Sequence, residues 1–451
     1  MNMKWNKDAP VNESREYFME HPVFEKLLKG FLEKYRSYGS FSGTVTLKNL
    51  TLEDREILEG FFKRSFHGQK SASISAKKFE SALQNSRFSQ VTPEQLLEAC
   101  FGRAPVGKKE EARMRRSRWR AMFEQVEKGC QDLLAQRWLE AFREDPGAFP
   151  VLSRRLRSLG DDVSQGRRLI EMAVKILCAL PAKWDQVEYR AVFAAKLTGN
   201  PHSFDDGEFY GRMFYELVKW YDGEDQKASL DESGQKAFLE KDLFPAQKKQ
   251  RLYLKAGILL DDLSNYTMLS GVGAVKKDGT LHKGMDGFCQ EEDMVLVPLS
   301  AIVRWSRVWC ISQTIYIVEN PSVFSVLQSH YKGQRSLMCM NGQPRLSALL
   351  MLDLLAAAKI KIFYAGDFDP EGLTIAQKLC QYYQGDFEYW HMSPQDCMAS
   401  LSEEPLSQRR IKMLEKITDP ALRPSADLLC REKRAGYQER ILERYVEEKG
   451  T

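Results

Sequence analysis

Between Thr314 and Trp390 the chain repeats one pattern: a short apolar run, a turn, then an apolar helix. TIYIVE (314–319) breaks at Asn320-Pro321 and leads into PSVFSVLQSHY. SLMCM (336–340) turns at Asn341-Gly342 into PRLSALLMLDLLAAA. KIKIFYAG (359–366) runs into DFDPEG and then LTIAQKLCQYYQ, and DFEYW closes the series. Short apolar runs bounded by turn signals read as buried strands, and strands alternating with helices through short turns predict a parallel α/β sheet. The helix PRLSALLMLDLLAAA, apolar nearly all round, is expected to be buried. Ligands of such sheets bind beyond the carboxyl ends of the strands. Three polar residues sit at those ends: Glu319, Asn341 and Asp367.

The stretch DFDPEG (367–372) admits two readings. In the first it is a helix start. Asp369 is the N-cap, Pro370 occupies the first helical position, Glu371 complements the helix dipole and Gly372 tolerates tight backbone. That account leaves Asp367 over. In the second reading Asp367 and Asp369, two apart in extended backbone, face one spot. Unpaired, they raise one another's pKa. A hard cation such as Mg²⁺ or Mn²⁺ relieves the repulsion through oxygen ligands. No basic side chain stands immediately beside them in the sequence, and Glu319 at the end of a neighbouring strand supplies a third acid. A carboxylate beside a bound metal is the arrangement that phosphodiester chemistry uses.

Upstream the chain is helix-rich to about residue 198. SGTVTLKNL (42–50) alternates like a strand, and Thr51 with Asp54 signals a helix start. Residues 101–120 carry eight basic side chains, among them Arg113, Arg115, Arg116 and Arg118, against Glu110 and Glu111. Such a cluster either contacts phosphates or forms a solvated helix face. The turn 199–211 holds His202, Asp205 and Asp206, and the charged stretch 222–236 is expected to be an exposed loop. Residues 257–287 read as turn-rich and partly extended. Three regions are expected from the pattern: a helix-rich arm (1–130), a helical region (131–295) and an α/β domain (296–451).

Composition removes several classes. The nine cysteines form no CxxC pair and there are six histidines, so a structural zinc site is not expected. Dispersed thiols fit a reducing compartment. No apolar run reaches the roughly 18 residues of a membrane span, and the N-terminus lacks an apolar signal core; a cytoplasmic protein is expected. The net charge of +4 neither demands nor excludes nucleic acid.

The set IYIVEN, SLMCMNGQP and IKIFYAGDFDPEG resembles a Toprim domain, whose signature is a Glu ending one strand and a DxD after a later one. DFDPEG is similar to the corresponding motif of the A subunit of topoisomerase VI. Six stretches in order, SGTVTLKNLTLEDREILEGFF, FAAKLTGNPHSFDDGEFYGRMF, GILLDDLSNYTMLSGV, VENPSVFSVL, MNGQP and GDFDPEGLTIA, resemble the JetD-type subunits of bacterial Wadjet plasmid-defence systems. The resemblance implies a homodimeric, metal-dependent nuclease for closed circular double-stranded DNA, with a partner-docking arm over 1–130, a helical to winged-helix-like DNA-binding region over 131–295 and a Toprim-like catalytic domain over 296–451. It would act with an SMC-family ATPase, a kleisin and a small winged-helix subunit. Carried over by motif, Glu319 is the general acid/base or a shared metal ligand. Asp367 and Asp369 hold Mg²⁺ or Mn²⁺, with Glu371 as a further candidate ligand. Gly342 and Gln343 either approach a phosphate or form a plain turn before Pro344. Arg345 and Lys332 are candidates for DNA-backbone contact.

Three other readings stand beside this one. A tyrosine could attack the phosphate, though no motif singles out one of the 17 tyrosines. The chain could be a non-catalytic adaptor of the SMC complex. A dehalogenase-like phosphatase also uses DxD, but there a small residue and then Thr or Val follow, not Pro370 and Glu371.

Overall fold

The computed structural model describes residues 9–233, 244–260 and 264–447. The chain divides into two compact units, one made of residues 1–131 and 155–171, the other of 132–154 and 172–451.

The first unit is helix-rich. Helix α1 (Pro22–Tyr38) is followed by strand β1 (Thr44–Lys48), α2 (Leu52–Phe62), β2 (Ser71–Ser75) and α3 (Ala76–Gln84). Strands β1 and β2 form an antiparallel pair running from Thr44↔Ser75 to Lys48↔Ser71. The start of α2 is the expected capping box. Asp54 N–H donates to Thr51 Oγ1 at 3.0 Å, and Thr51 N–H donates to Asp54 Oδ2 at 2.9 Å, which satisfies two of the helix's orphan donors. Phe18, Phe24, Phe61 and Phe79 pack edge-on or tilted in the core. The basic cluster lies on α4 (Lys108–Gly129).

The second unit holds a six-stranded sheet. Its strands are β3 (Tyr266–Ser270), β4 (Met294–Pro298), β5 (Thr314–Val318), β6 (Leu337–Cys339), β7 (Lys361–Ala365) and β8 (Phe387–Tyr389), in the order β8-β7-β5-β6-β3-β4. Strands β8, β7, β5 and β6 are parallel as expected. The sheet as a whole is mixed, not purely parallel, because β3 pairs antiparallel with both β6 and β4. Strand β3 comes from the segment expected to be turn-rich and partly extended, and its residues 267–270 are buried.

The expected helices follow their strands: α5 (Pro321–His330), α6 (Leu346–Ala357) and α7 (Pro370–Tyr382). Seven residues of α6 are buried, as its all-round apolar pattern requires. Its one charged residue, Asp353, accepts from Arg251 at 3.2 Å and from Tyr382 Oη at 2.7 Å. Upstream, one helix runs Phe209–Ser233, so the stretch expected as a loop from 222 is helical to Ser233, and 234–236 lie outside the described residues. No helix among the described residues is long and apolar enough to cross a membrane, and the nine cysteines are free.

Candidate active site

Strand register assembles the acids. In the parallel ladders Val318 stands opposite both Ala365 and Cys339. The chain therefore leaves three adjacent strands at the same level, as Glu319, as Gly366-Asp367 and as Met340-Asn341. A Cβ built on Gly366 would stand 3.1 Å from Glu319 Oε2 and 2.9 Å from Tyr364 Oη. Only glycine leaves that notch open.

Asp367 is held by three hydrogen bonds from two donor groups. Asn320 Nδ2 donates to both carboxylate oxygens at 3.1 Å, and the backbone N–H of Gln438 donates to Oδ1 at 2.8 Å. The Gln438 side chain is fully buried. Its Oε1 accepts from the N–H groups of Glu319 and Asn320, each at 3.3 Å. A short C-terminal strand, β9 (Arg434–Gly436), presents it. Phe368 and Gly436 exchange backbone bonds of 2.9 and 2.8 Å, which pins the DFD loop. Gly372 lies so close beneath that loop that a Cβ there would stand 2.4 Å from the carbonyl oxygen of Asp367.

Asp369 does what the first sequence reading asked of it. Its Oδ1 accepts from Gly372 N–H at 2.7 Å and caps α7. Its Oδ2 accepts from Arg410 at 2.6 Å, and the same guanidinium binds Glu371 Oε2 at 2.6 and 3.0 Å. Arg410 belongs to α8 (Gln408–Leu414). Sequence reading misses it, since a partner 41 positions downstream leaves no local signal. Gln438, 119 positions beyond Glu319, was missed for the same reason.

The electrostatics follow from burial. Burial, then the charges of Asp367 and Asp369, push Glu319 up to about 7. Burial raises Asp367 to about 6 against the hydrogen bonds from Gln438 and Asn320. Asp369 is also raised, by burial first, although Gly372 N–H and Arg410 oppose it. Among the described residues neither Glu319 nor Asp367 has an ion-pair partner. The donor set is all oxygen, partly buried and short of positive charge, which is the chemistry that suits a hard divalent cation. As the side chains stand, however, no three His, Cys, Asp or Glu among the described residues are gathered about one ion position. Both oxygens of Asp369 are already engaged.

The other sequence candidates lie elsewhere or have structural partners. Arg113, Arg115, Arg116 and Arg118 are exposed on α4 in the first unit. Arg113 pairs with Glu110 at 3.5 Å and Arg118 with Asp161 at 3.4 Å. Arg345 stacks its guanidinium 5.3 Å over the Tyr266 ring. Asn341 and Gly342 both have positive φ, and Gly342 N–H donates to the Glu319 carbonyl at 3.3 Å, so this turn closes on backbone. Gln343 and Lys332 are exposed. Asp205 and Asp206 are neutralised by Arg190 and Lys249. A basic face not foreseen lies on and just beyond α8, where Arg409, Lys412 and Lys416 follow helical spacing and line a concavity of about 570 Å³ with Gln408 and Met413. Among the described residues none of the three has a carboxylate partner.

Fold and site define a two-part protein: a helix-rich N-terminal region and a C-terminal mixed sheet with acids at the carboxyl ends of its central parallel strands. Residues 41–274 match the family described as "Protein of unknown function N-terminus (DUF3323)", and residues 295–448 match "Protein of unknown function C-terminus (DUF2399)". The first match spans more than half of the chain, and the chain belongs to that family. A search among curated proteins gives no match.

Proposed function

We propose that the chain is a metal-dependent DNA endonuclease with a Toprim-like catalytic domain, the JetD-type subunit of a Wadjet plasmid-defence system. The observation that carries this reading is the pair Glu319 and Asp367. They are side by side at the carboxyl ends of adjacent parallel strands, partly buried and without a counter-charge. A partly buried acid pair without a counter-charge is costly to keep, and such costs cluster at functional sites. The two-part family match agrees with the order of motifs that led to the resemblance.

Glu319, Asp367 and Asp369 would hold Mg²⁺ or Mn²⁺, and the cation would polarise the scissile phosphate and stabilise the leaving oxygen. The protein's own groups do the rest. Asn320 and Gln438 fix the orientation of Asp367 and the backbone of Glu319. Glu319, beside the cation, would take and return a proton as water attacks. Arg409, Lys412 and Lys416 hold backbone phosphates of double-stranded DNA. In the cell the chain would act as a homodimer on closed circular DNA with an SMC-family ATPase, a kleisin and a small winged-helix subunit.

The rival of tyrosine transesterification is less well supported by the tyrosines near the acids. Tyr364 is fully buried with its pKa raised well above the ordinary value. Tyr437 is pushed up to about 12, first by its hydrogen bond to Glu404. Neither favours a phenolate nucleophile.

The test is cleavage of supercoiled plasmid in Mn²⁺ by the wild-type chain and Asp367→Asn, alone and with the SMC complex. Cutting by wild type only, with no protein left on the DNA ends, is the expected result. A covalent adduct favours the transesterase, and no cutting in any mixture leaves an adaptor.

A further inference from the structure

We propose that Arg410 is a built-in counter-cation of the acid cluster, and that it and the divalent cation compete for Asp369. The inference rests on the metal-nuclease reading above.

Four acids converge here, Glu319, Asp367, Asp369 and Glu371, and one guanidinium answers them. Arg410 spends its fork on Asp369 Oδ2 and Glu371 Oε2. Asp369 Oδ1 caps α7 through Gly372 N–H. With both oxygens engaged, Asp369 offers a cation little, and no three-acid ion position exists among the described residues. A second observation points independently to a ligand. The Tyr364 hydroxyl is fully buried, has no hydrogen-bond partner and faces the notch over Gly366, which Glu319 Oε2 also lines. An unspent buried donor is costly, and its place in this notch fits an oxygen-bearing ligand such as water or a phosphate.

A divalent cation brought to Glu319 and Asp367 repels the guanidinium and competes for Asp369 Oδ2. Coupling between two bound charges is reciprocal: whatever Arg410 costs the cation, the cation costs Arg410. Released, the guanidinium would turn from the acids on a helix that already carries Arg409 and Lys412.

The test uses the full chain without DNA. Mn²⁺ affinity is measured by electron paramagnetic resonance for wild type, Arg410→Gln, Arg410→Lys and Asp367→Asn, and unfolding temperature is followed with and without Mn²⁺. Arg410→Gln is expected to bind Mn²⁺ about tenfold tighter, to melt lower without metal and to gain more from Mn²⁺ than wild type. Arg410→Lys, which keeps the charge but loses the fork, should fall between. Unchanged or weaker Mn²⁺ binding in Arg410→Gln overturns the inference. If wild type binds Mn²⁺ and Asp367→Asn does not, the metal site stands and only the role of Arg410 falls. If neither wild type nor Arg410→Gln binds Mn²⁺, both fall together.

Discussion

Gln438 and Glu319 meet through side chain and backbone: the buried amide oxygen of Gln438 accepts the Glu319 N–H at 3.3 Å. The same residue's own N–H donates to Asp367 at 2.8 Å. One residue near the end of the chain therefore sets the spacing of two acids from two different strands.

Replacing Gln438 by Leu tests that link. The N–H groups of Glu319 and Asn320 lose their acceptor, and an unsatisfied buried donor costs about 1–3 kcal/mol. The expected outcome is a lower denaturation midpoint at unchanged slope, with cleavage reduced more than binding of DNA. Urea unfolding with a parallel cleavage assay reads both.

Glu319→Gln and Asp367→Asn should each lower cleavage by at least about 100-fold and should stabilise the metal-free chain at pH 8. Both acids have raised pKa values, so the folded state binds protons more tightly than the unfolded one. Stability is fully present below about pH 4 and is lost as pH rises through about 6 to 7. Near-isosteric neutral side chains remove that loss, worth about 1–3 kcal/mol. Thermal unfolding in chelator at pH 5 and pH 8 checks it. Wild type should melt higher at pH 5, and the difference should shrink in either variant.

Gly366→Ala and Gly372→Ala should fail differently. A methyl on Gly372 meets backbone at 2.4 Å, where nothing can move aside cheaply, and a cost of about 3 kcal/mol is expected. A methyl on Gly366 meets the ends of two side chains at 2.9 and 3.1 Å. The fold should tolerate it better while the notch closes, so activity should fall with a small change in unfolding temperature. Equal destabilisation by both would count against the notch.

Changing Arg409, Lys412 and Lys416 together to Gln should weaken DNA binding in chelator uniformly across sequences. The slope of log affinity against log salt should fall by about 3. Fluorescence anisotropy over a salt series measures it, and an unchanged slope removes the α8 face from the DNA path.

Much of this fold was legible, for definite reasons. Thr314–Val318 and Lys361–Ala365 are short apolar runs bounded by turn chemistry, and Thr51-Asp54 is a reciprocal cap that needs only local atoms. Tyr266–Ser270 was not legible as a sheet strand, because its flanks are turn-rich and its ladder partners lie 24 to 71 positions away. The charge of the stretch from Asp222 suggests an exposed loop or linker, yet the chain is helical to Ser233, because charge marks exposure, not backbone conformation. The acids themselves were legible. Their surroundings, Arg410, Gln438 and the open notch, depend on tertiary approach, which no local pattern encodes.

The pinning of Phe368 by Gly436 has a consequence for the order of synthesis. Strands bearing Glu319 and Asp367 leave the ribosome well before the segment that sets their spacing. A nascent chain halted before Gln438 thus carries every acid of the cluster without its geometry. The mutual placement of these two acids is therefore completed only when residues 434–438 have been made, long after the strands that carry them.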